Sequence, residues 1–295
     1  MGNYMVDLLV LNYNDASTTK CFVNNVKNFL SIRKILVVDN KSTDDSLKIL
    51  KKIESDKVVV VASDKNGGYG YGNNYGIRYL KEHFSSEYIL LCNPDVIVEE
   101  KVIQKLEIFL KDKLEYAVVA PMMLNARGEL QNHTAFKLPT TLEYILSLSF
   151  LAKRMGFSID MGISASQSKS DVIDVGAVTG SLFMLNVKKM MKYGMYDERI
   201  FLYCEEVVLG KKLSLNSQKI ALLPKLFFIH NHSVSISKTF DSLIKRHTLL
   251  VRSKLFVIKQ YFNPNHFEML LTYLFIAISY VEIFSISILK KLLRR

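Results

Sequence analysis

The chain has 295 residues, of which 49% are hydrophobic and 23% are charged. This composition is close to that of ordinary globular proteins and excludes disordered, collagen-like and fibrous chains. The net charge of +11 favours an anionic partner such as nucleic acid, anionic lipid or a phosphorylated substrate. Tryptophan is absent and no zinc-finger or RRM signature occurs, so nucleic acid is not the expected partner.

The cysteines and the N-terminus bear on the compartment. Three cysteines cannot form a disulfide framework, and none of them stands in a CxxC pair. The opening residues lack a basic region followed by a long apolar core, so no secretory signal peptide is predicted. We therefore expect a protein of a reducing compartment.

Short apolar runs that end in polar turns alternate with segments of helical spacing up to residue 92. The predicted strands are 6–11, 35–38, 58–62 and 88–92, and the predicted helices are 17–30, 47–53 and 73–83. In the first helix the spacing places Cys21, Val23, Val26 and Leu30 on the inner face. Repeated strand–helix units predict an α/β fold with a mostly parallel central sheet flanked by helices. Ligands bind such sheets at the carboxyl ends of the strands, where this chain carries acids and amides.

The middle of the chain is less regular. Residues 125–173 contain a serine-rich stretch at 164–170, which predicts a loop. Residues 174–185 predict one further strand, whose two glycines allow the backbone to approach a ligand closely.

Seven segments at the ends of these elements carry a family resemblance. They are LVLNYND near the start, ILVVDNKSTDDS at 35–46, DKNGGYGYGNNYGI at 64–77, YILLCNPDVIV at 88–98, VGAVTGSLFML at 175–185, YDERIFLYCEEVVLGKKL at 196–213 and FFIHNHSVS at 227–235. In order and spacing they resemble the inverting family 2 glycosyltransferases with a GT-A fold, especially the bacterial rhamnosyltransferase-like branch. The resemblance implies a GT-A domain at 1–235, with a nucleotide-sugar half at about 1–121 and an acceptor half at about 122–235.

The resemblance also implies where the nucleotide binds. The implied nucleotide-binding residues are Leu11, Tyr13, Asp39, Asp64, Asn66, Asn73, Asn74 and Asn93. Asp39 would accept a hydrogen bond from the imide N–H of uracil or thymine, whereas the residues alone also allow an Asp-Asn turn. The glycines of segment 64–77 are expected to let backbone N–H groups approach a ribose or diphosphate, with an ordinary glycine-rich turn as the alternative.

A divalent cation is implied by Asn93-Pro94-Asp95, which stands where relatives carry a DXD-type motif. Asp95 is the implied metal ligand, and its hard oxygen suits Mg²⁺ and Mn²⁺ alike. A β-turn with proline at its second position is the alternative. His230 is the implied histidine near the metal or diphosphate, and His232 is the less well aligned choice. On an extended chain both histidines face the same side, where local hydrogen bonding would also satisfy them.

The catalytic base is implied by Glu205-Glu206, which match the acid pair of the family's ED segment. Inversion by a single displacement needs one base near the acceptor hydroxyl. Glu206 holds the matching position, and Glu205 is the fallback. Two acids at a helix start are also explained by the helix dipole. Val208 stands where the family usually has Asp, which is a departure from the pattern.

The C-terminal region 236–295 is basic and predicted to be helical, and its segment 269–289 is apolar with Glu282 as its only charge. Twenty-one residues are enough to span a bilayer of ~30 Å. A polar stripe runs along one predicted helical face, through Thr272, Ser279, Glu282 and Ser285. The stripe and the basic residues 290–295 favour a helix lying on an anionic membrane. Packing against a second subunit and true spanning are the alternatives.

The predicted function is that of an inverting, metal-dependent glycosyltransferase in the cytoplasm, associated with the inner face of the cell membrane. The favoured donor is dTDP-L-rhamnose, and the expected acceptor is a glycan or polyprenyl-linked precursor of a cell-surface polysaccharide. A homodimer is an option. The alternative function is a nucleotide-sugar-binding scaffold without turnover, which Val208 would favour.

Overall fold

The computed structural model describes residues 6–161, 169–231 and 242–292. The strands in these ranges are β1 (Val6–Asn12), β2 (Ile32–Asp39), β3 (Val58–Ala62), β4 (Tyr88–Cys92), β5 (Val96–Ile97), β6 (Tyr116–Leu124), β7 (Ala135–Phe136), β8 (Ile173–Val175), β9 (Ala177–Val178), β10 (Leu182–Asn186) and β11 (Lys219–His230). The helices are α1 (Ala16–Val26), α2 (Ser46–Lys51), α3 (Tyr69–Phe84), α4 (Glu100–Asp112), α5 (Thr141–Leu146), α6 (Phe150–Arg154), α7 (Val187–Tyr193), α8 (Glu205–Leu215), α9 (Leu243–Tyr261) and α10 (His266–Leu292).

One central sheet organises the described part of the chain, with the strand order β3-β2-β1-β4-β10-β6-β11-β5 and β8 paired to β11. The first four strands are parallel to their neighbours, as predicted. Beyond β4 the sheet is mixed, because β10 runs antiparallel to both β4 and β6 while β11 is parallel to β6. The predicted α/β architecture is confirmed, and its parallel part is the half formed by β1 to β4.

Helices cover both faces of the sheet. The β1 residues Leu8, Leu9 and Val10 are all fully buried, as expected of a strand covered on both sides. One apolar layer joins the sheet to α1, α2 and α4, and the other joins it to α3, α7 and α8. The two layers leave the carboxyl ends of the parallel strands open to a ligand.

The inner face of α1 differs from the prediction. Cys21 is exposed and Leu30 is 90% exposed, so both were wrongly placed inside. The helix ends at Val26, and Leu30 therefore lies beyond it in the turn before β2. Phe22 packs inward beside Val23 and Val26 and takes the place expected for Cys21.

The predicted strand 174–185 is three strands, β8, β9 and β10. Gly176 separates the first two, and a Cβ there would lie 2.3 Å from the backbone nitrogen of Leu138. That glycine is required by close approach of another chain segment. The predicted loop 164–170 falls largely outside the described residues.

Helix α3 is longer than predicted and includes Gly70, Gly72 and Gly76 of segment 64–77. A Cβ on Gly72 would lie 2.4 Å from Leu11, and one on Gly76 would lie 2.3 Å from Leu9. These two glycines therefore let α3 pack closely on β1, and the expectation that they approach a ligand is corrected for them. Their role follows from the small distance between helix and sheet.

The two C-terminal helices pack on the rest of the α/β domain. Residues of α9 share an apolar cluster with residues of α5 and α8, and α10 residues pack against the same cluster. Thr272 and Ser279 of the predicted polar stripe are buried, while Val281 is 67% exposed and Phe284 59% exposed. Helix α10 thus turns Thr272, Ser279 and Glu282 of the polar stripe toward the protein, whereas Ser285, Val281 and Phe284 are exposed. The predicted boundary between residues 235 and 236 lies outside the described ranges.

Candidate active site

A polar network joins the carboxyl ends of β1 and β2. The Asp39 carboxylate is buried and accepts hydrogen bonds from the Asn12 side chain at 2.9 Å, the Ser42 backbone N–H at 2.8 Å and the Ser42 hydroxyl at 2.6 Å. Asn12 in turn accepts from the Thr19 hydroxyl at 2.8 Å. The contacts of Asp39 are those of a residue that caps a turn, as in the alternative drawn from the residues alone.

The exits of β2 and β3 are linked in a similar way. Asn66 accepts hydrogen bonds from the Asn40 side chain and from the Gly68 backbone N–H, both at 3.2 Å. Asp64 is exposed beside this network, and Leu11 and Tyr13 are half-buried at the end of β1. Because β3, β2, β1 and β4 are neighbours in the sheet, these residues share one edge with Asn93.

The amides of α3 bond to the protein itself. The Asn74 amide donates to the Tyr196 carbonyl at 3.0 Å and to Glu198 at 2.9 Å, and its oxygen accepts from the Tyr196 N–H at 2.9 Å. Asn73 donates to the Tyr69 carbonyl at 3.0 Å. Both side chains are buried. The contacts of Asn74 fasten α3 to the segment before α8, whereas the bond of Asn73 stays within α3.

Asp95 and His230 meet at the next strand ends. The antiparallel pairing of β5 with β11 sets His230 opposite Val96, and the Asn231 N–H donates to the Asp95 carbonyl at 3.0 Å. This register brings His230 Nε2 to 3.1 Å from Asp95 Oδ1, with both side chains at most 10% exposed. Residues 135 positions apart in the chain therefore form one contact. His232 lies outside the described residues.

The Asp95–His230 pair fits a divalent cation that is completed by phosphate oxygens. It offers a carboxylate oxygen and an imidazole nitrogen, both ligands of first-row divalent metals. In the described ranges no group of three or more His, Cys, Asp and Glu side chains is placed to hold a metal ion. Such a sparse set is typical of Mg²⁺ held by one or two carboxylates and substrate phosphates.

The acid pair begins helix α8 after an unusual turn. Tyr203 and Cys204 have φ angles of 73° and 74°, in the left-handed region that non-glycine residues seldom adopt. A strained backbone of this kind costs on the order of 1–3 kcal/mol per residue and clusters at functional sites. Here the turn starts α8 at Glu205 and directs both acids toward the carboxyl ends of the strands.

Glu205 and Glu206 differ in surroundings. Glu205 is 3% exposed, and its Oε1 has no hydrogen-bond partner. Glu206 is half-buried, and its Oε1 accepts a long 3.4 Å hydrogen bond from the Gly180 N–H. Burial raises the pKa of Glu206, and burial together with the neighbouring Glu206 charge raises the pKa of Glu205 well above its usual value. Both carboxyls are thereby tuned toward proton exchange nearer neutral pH.

Two clefts meet at His230. A cleft of about 670 Å³ is lined by Asp95 and His230, and a second of about 340 Å³ is lined by His230, Asn93, Glu205 and Glu206. The acid pair and the carboxylate of the implied metal site therefore lie in two clefts that share His230 as a lining residue.

The sequence profile of the family described as Glycosyl transferase family 2 matches residues 7–168, which is more than half of the chain.
The chain belongs to glycosyl transferase family 2. Two curated relatives of this family 2 chain are 23% identical to it. The hexosyltransferase Agl10 of low-salt glycan biosynthesis in Haloferax volcanii matches over 80% of this chain and 70% of its own length. The rhamnosyltransferase WbbL of Escherichia coli matches over 77% of this chain and 83% of its own length.

Solved glycosyltransferases share the fold. GalNAc-T7, crystallised with UDP, GalNAc and Mn²⁺, superposes with a TM-score of 0.57 at 13% identity over 79% of this family 2 chain, which spans only 45% of that protein. The mannosyltransferase PcManGT of Pyrobaculum calidifontis, in complex with GDP-Man and Mn²⁺, superposes with a TM-score of 0.56 at 14% identity, covering 94% of this chain and 73% of that one. The GT-A architecture is therefore confirmed.

We call the cleft lined by Glu205 and Glu206 the acid cleft. Val208, the departure from the family pattern, does not line it. It is buried in the apolar cluster that also contains Tyr144 of α5 and Val257 of α9. The residues lining the acid cleft include Val207 but not Val208. In this family 2 chain the apolar residue at this position packs the C-terminal helices against α8.

Sequence reasoning missed Lys254 as a site residue and grouped it with the basic surface. Lys254 is 5% exposed, lines the acid cleft and donates to the Ser147 carbonyl at 2.6 Å and the Ser147 hydroxyl at 2.8 Å. Burial lowers the pKa of its ammonium group to about 7. The signal was present in the helical spacing, since Lys254 shares a face with Val251 and Val257.

Proposed function

We propose that this chain is an inverting, divalent-metal-dependent glycosyltransferase that moves a sugar from a nucleotide diphosphate to an acceptor hydroxyl. The observation that carries the proposal is the position of His230, which contacts Asp95 and lines the same cleft as Glu206. Donor-side and acceptor-side groups thus face one region, as a single displacement requires.

In the proposed mechanism Glu206 removes the proton of the acceptor hydroxyl. Its raised pKa makes it a stronger base than an exposed glutamate, and the Gly180 N–H orients its carboxylate. Glu205 remains the fallback. Asp95 and His230 would hold Mg²⁺ or Mn²⁺, which when bound neutralises charge on the departing diphosphate. Asn93, which lines the same cleft, would contact the donor.

The nucleotide is proposed to bind at the exits of β1, β2 and β3. Leu11, Tyr13 and Asp64 have surface there to contact a base or ribose, while Asp39 and Asn66 shape the edge through their turn contacts. Asn74 is left out of this proposed set because its amide bonds to Tyr196 and Glu198, and Asn73 because it is buried and donates to Tyr69 of its own helix.

For the donor we propose dTDP-L-rhamnose, and for the acceptor a lipid-linked precursor of a cell-surface polysaccharide. The name of the rhamnosyltransferase relative supports the sugar, and the Mn²⁺ complexes of the two solved neighbours support the cation. The exposed apolar side of α10 supports a cytoplasmic enzyme on the inner face of the membrane.

The test is a panel of nucleotide sugars assayed for hydrolysis and transfer with Mn²⁺. Glu206→Gln should lower kcat at least 100-fold, within the range supplied by general base catalysis. Asp95→Ala should abolish the metal-dependent activity. Glu54 and Asp171 are exposed. Glu54→Gln and Asp171→Ala are therefore matched controls that should retain the activity.

Three outcomes would change the proposal. Full turnover by Glu206→Gln with loss in Glu205→Gln would move the base to Glu205. Activity of Asp95→Ala in EDTA would remove the metal from the proposed mechanism. If calorimetry detects donor binding but no sugar gives a product, the proposed function becomes that of a nucleotide-sugar-binding scaffold.

A further inference from the structure

The hydroxyl of Tyr69 is linked to the proposed base through a single residue. It donates a hydrogen bond to the Gly180 carbonyl at 2.5 Å, and the N–H of the same glycine donates to Glu206 Oε1 at 3.4 Å. Tyr69 and Glu206 both line the acid cleft, and so does Gly180. These three residues therefore form one chain of contacts along the wall of the cleft.

The start of α3 fixes the direction of the Tyr69 side chain. Tyr69 is the first residue of the helix, and its backbone N–H donates to the Phe201 carbonyl at 3.0 Å. Gly68 has a φ angle of 90°, and a Cβ there would lie 1.9 Å from the Phe201 carbonyl oxygen, so glycine is required for this approach. The Tyr69 ring also packs edge-on against Tyr196, with 5.7 Å between the ring centroids. Backbone and ring contacts together aim the hydroxyl at Gly180.

Gly180 stands in the turn between β9 and β10, and this turn is anchored on both sides of the glycine. The Thr179 N–H donates at 3.0 Å to a carbonyl of the segment before β7. The Ser181 carbonyl accepts at 2.8 Å from the N–H of Asn93, directly after β4. The Tyr69 hydroxyl supplies the bond to the carbonyl of Gly180 itself. The three bonds together set the direction in which the Gly180 N–H points into the acid cleft.

The phenol and the carboxylate approach Gly180 closely. A Cβ at this position would lie 2.8 Å from the Tyr69 hydroxyl oxygen and 3.3 Å from Glu206 Oε1. A side chain at residue 180 would therefore crowd both groups, and the absence of one lets them share the glycine as a common neighbour.

The two hydrogen bonds of this chain differ in strength. Burial, together with Tyr196 and the neighbouring acids, raises the pKa of the Tyr69 phenol well above its usual value, so the hydroxyl keeps its proton and remains a donor. The bond from the Gly180 N–H to Glu206 is longer than the usual range of about 2.7–3.2 Å. A bond of that length is sensitive to small changes in the direction of the N–H, and the phenol controls that direction.

The segment that carries Tyr69 also belongs to the proposed nucleotide edge. The Asn40 side chain donates to the Gly68 carbonyl at 3.0 Å, directly before Tyr69. Residues 66–69 therefore border both the exits of β2 and β3 and the acid cleft. A single displacement needs the base at a set distance from the donor sugar. The bond between Tyr69 and Gly180 connects these two sides of the site.

We propose that Tyr69 is a positioning residue for the base. Its hydroxyl holds the Gly180 turn so that the Gly180 N–H orients the Glu206 carboxylate toward the acceptor hydroxyl. Tyr69 acts through Gly180 and does not take the proton. This inference rests on the proposed function, because it deepens the role of Glu206 in that reaction.

The first test is the steady-state kinetics of Tyr69→Phe, which removes the hydroxyl and keeps the ring. We expect kcat to fall about fivefold to twentyfold, less than the ~100-fold that a displacement of about 1 Å can cost. The KM for the donor should stay within about twofold of wild type, because donor contacts are unchanged. In the Glu206→Gln background the same substitution should lower the residual kcat less than about twofold, since residues that act as a unit are not additive.

Tyr75→Phe is the matched control, because it removes a hydroxyl from the same helix at a residue that does not line the acid cleft. Its kcat should stay within about twofold of wild type. Equal kcat values for Tyr69→Phe and Tyr75→Phe would overturn the inference. An undiminished effect of Tyr69→Phe in the Glu206→Gln background would also overturn it, since the phenol would then act independently of the base.

The second test, NMR of the full chain labelled with ¹⁵N, needs no turnover. The phenol bonds the carbonyl of Gly180, which belongs to the next peptide group, so the Gly180 amide proton reports a change in the direction of the turn. That proton should move upfield in Glu206→Gln, where its charged acceptor is lost, and also in Tyr69→Phe. It should stay in place in Tyr75→Phe.

The NMR result separates this inference from the proposed function. An unchanged Gly180 signal in Tyr69→Phe would overturn the inference, whatever the activity. The expected shift in a chain without transfer activity would uphold the positioning of Glu206 and contradict only the proposed function. The same shift together with full turnover by Glu206→Gln would uphold the positioning and contradict only the choice of base.

Discussion

The neighbouring acids Glu205 and Glu206 show how burial divides two like residues. Glu205 is enclosed at the start of α8, whereas Glu206 keeps surface in the cleft and accepts from Gly180. A carboxyl removed from water holds its proton to higher pH, because the charged form loses hydration. The residue with both a raised pKa and access to the cleft is the better base.

This difference predicts the pH dependence of the reaction. Burial raises the pKa of Glu206 above the usual 4.5 of a glutamate, so the active, ionised form is lost as pH falls through that raised value. The acid limb of kcat/KM should therefore lie above pH 4.5. A pH–rate profile measures it, with circular dichroism confirming that the protein stays folded over the same range. An acid limb at or below 4.5 would contradict the assignment.

Helix α10 is held to the domain by Glu282, the charged residue of the predicted polar stripe. Glu282 lies in the middle of an apolar helix, yet its carboxylate accepts from three donors at the beginning of α6. A charged acceptor bonded in this way stabilises the interface more than a neutral one. Glu282 and Ser279 of the polar stripe thus fasten α10 to α6 and α9.

Removing this carboxylate should weaken the docking of α10. Glu282→Ala leaves three donors without their partner, and we expect a loss of about 1–3 kcal/mol in the free energy of unfolding. Urea denaturation measures the change. Ser285→Ala, on an exposed part of the same helix, is the matched control and should stay within about 0.5 kcal/mol of wild type. Equal stability of the two variants would show that Glu282 does not fasten the helix.

At the scale of the whole molecule the protein has one strongly apolar side. Among the described helices, the segment 266–289 of α10 is long and apolar enough to cross a membrane by length and composition, with 11% of its most apolar window buried. Its polar stripe, however, contacts the protein's own α6 and α9. A helix lying on the membrane keeps these contacts and covers Val281 and Phe284 with lipid.

Vesicle binding tests this orientation. The double variant Val281→Asp, Phe284→Asp should reduce co-sedimentation with anionic vesicles at least tenfold, because two charges would enter the apolar interface. Leu215→Asp, an exposed leucine on α8, should bind as wild type does. Unchanged binding by the double variant would contradict the membrane orientation. A wild-type dimer that dissociates in the double variant would assign this face to a second subunit.

The sequence alone determined the βαβ half of the fold and named the candidate site residues. Buried strands such as β1 are continuous apolar runs, and each ends at a polar turn, so local patterning is enough to find them. Asp95, His230 and Glu206 stood out because they belong to segments with recognisable residue patterns. The mixed half of the sheet was not determined in this way, since pairing of β10 and β11 depends on partners far away in the chain.

Only the tertiary structure decided what these residues contact. The 3.1 Å approach of His230 to Asp95, the engagement of Asn74 by Tyr196 and the burial of Lys254 all join distant segments. It also decided which side of α10 meets the protein, because Glu282 finds its donors at the start of α6. Periodicity reports which residues share a face, and packing decides which way that face points.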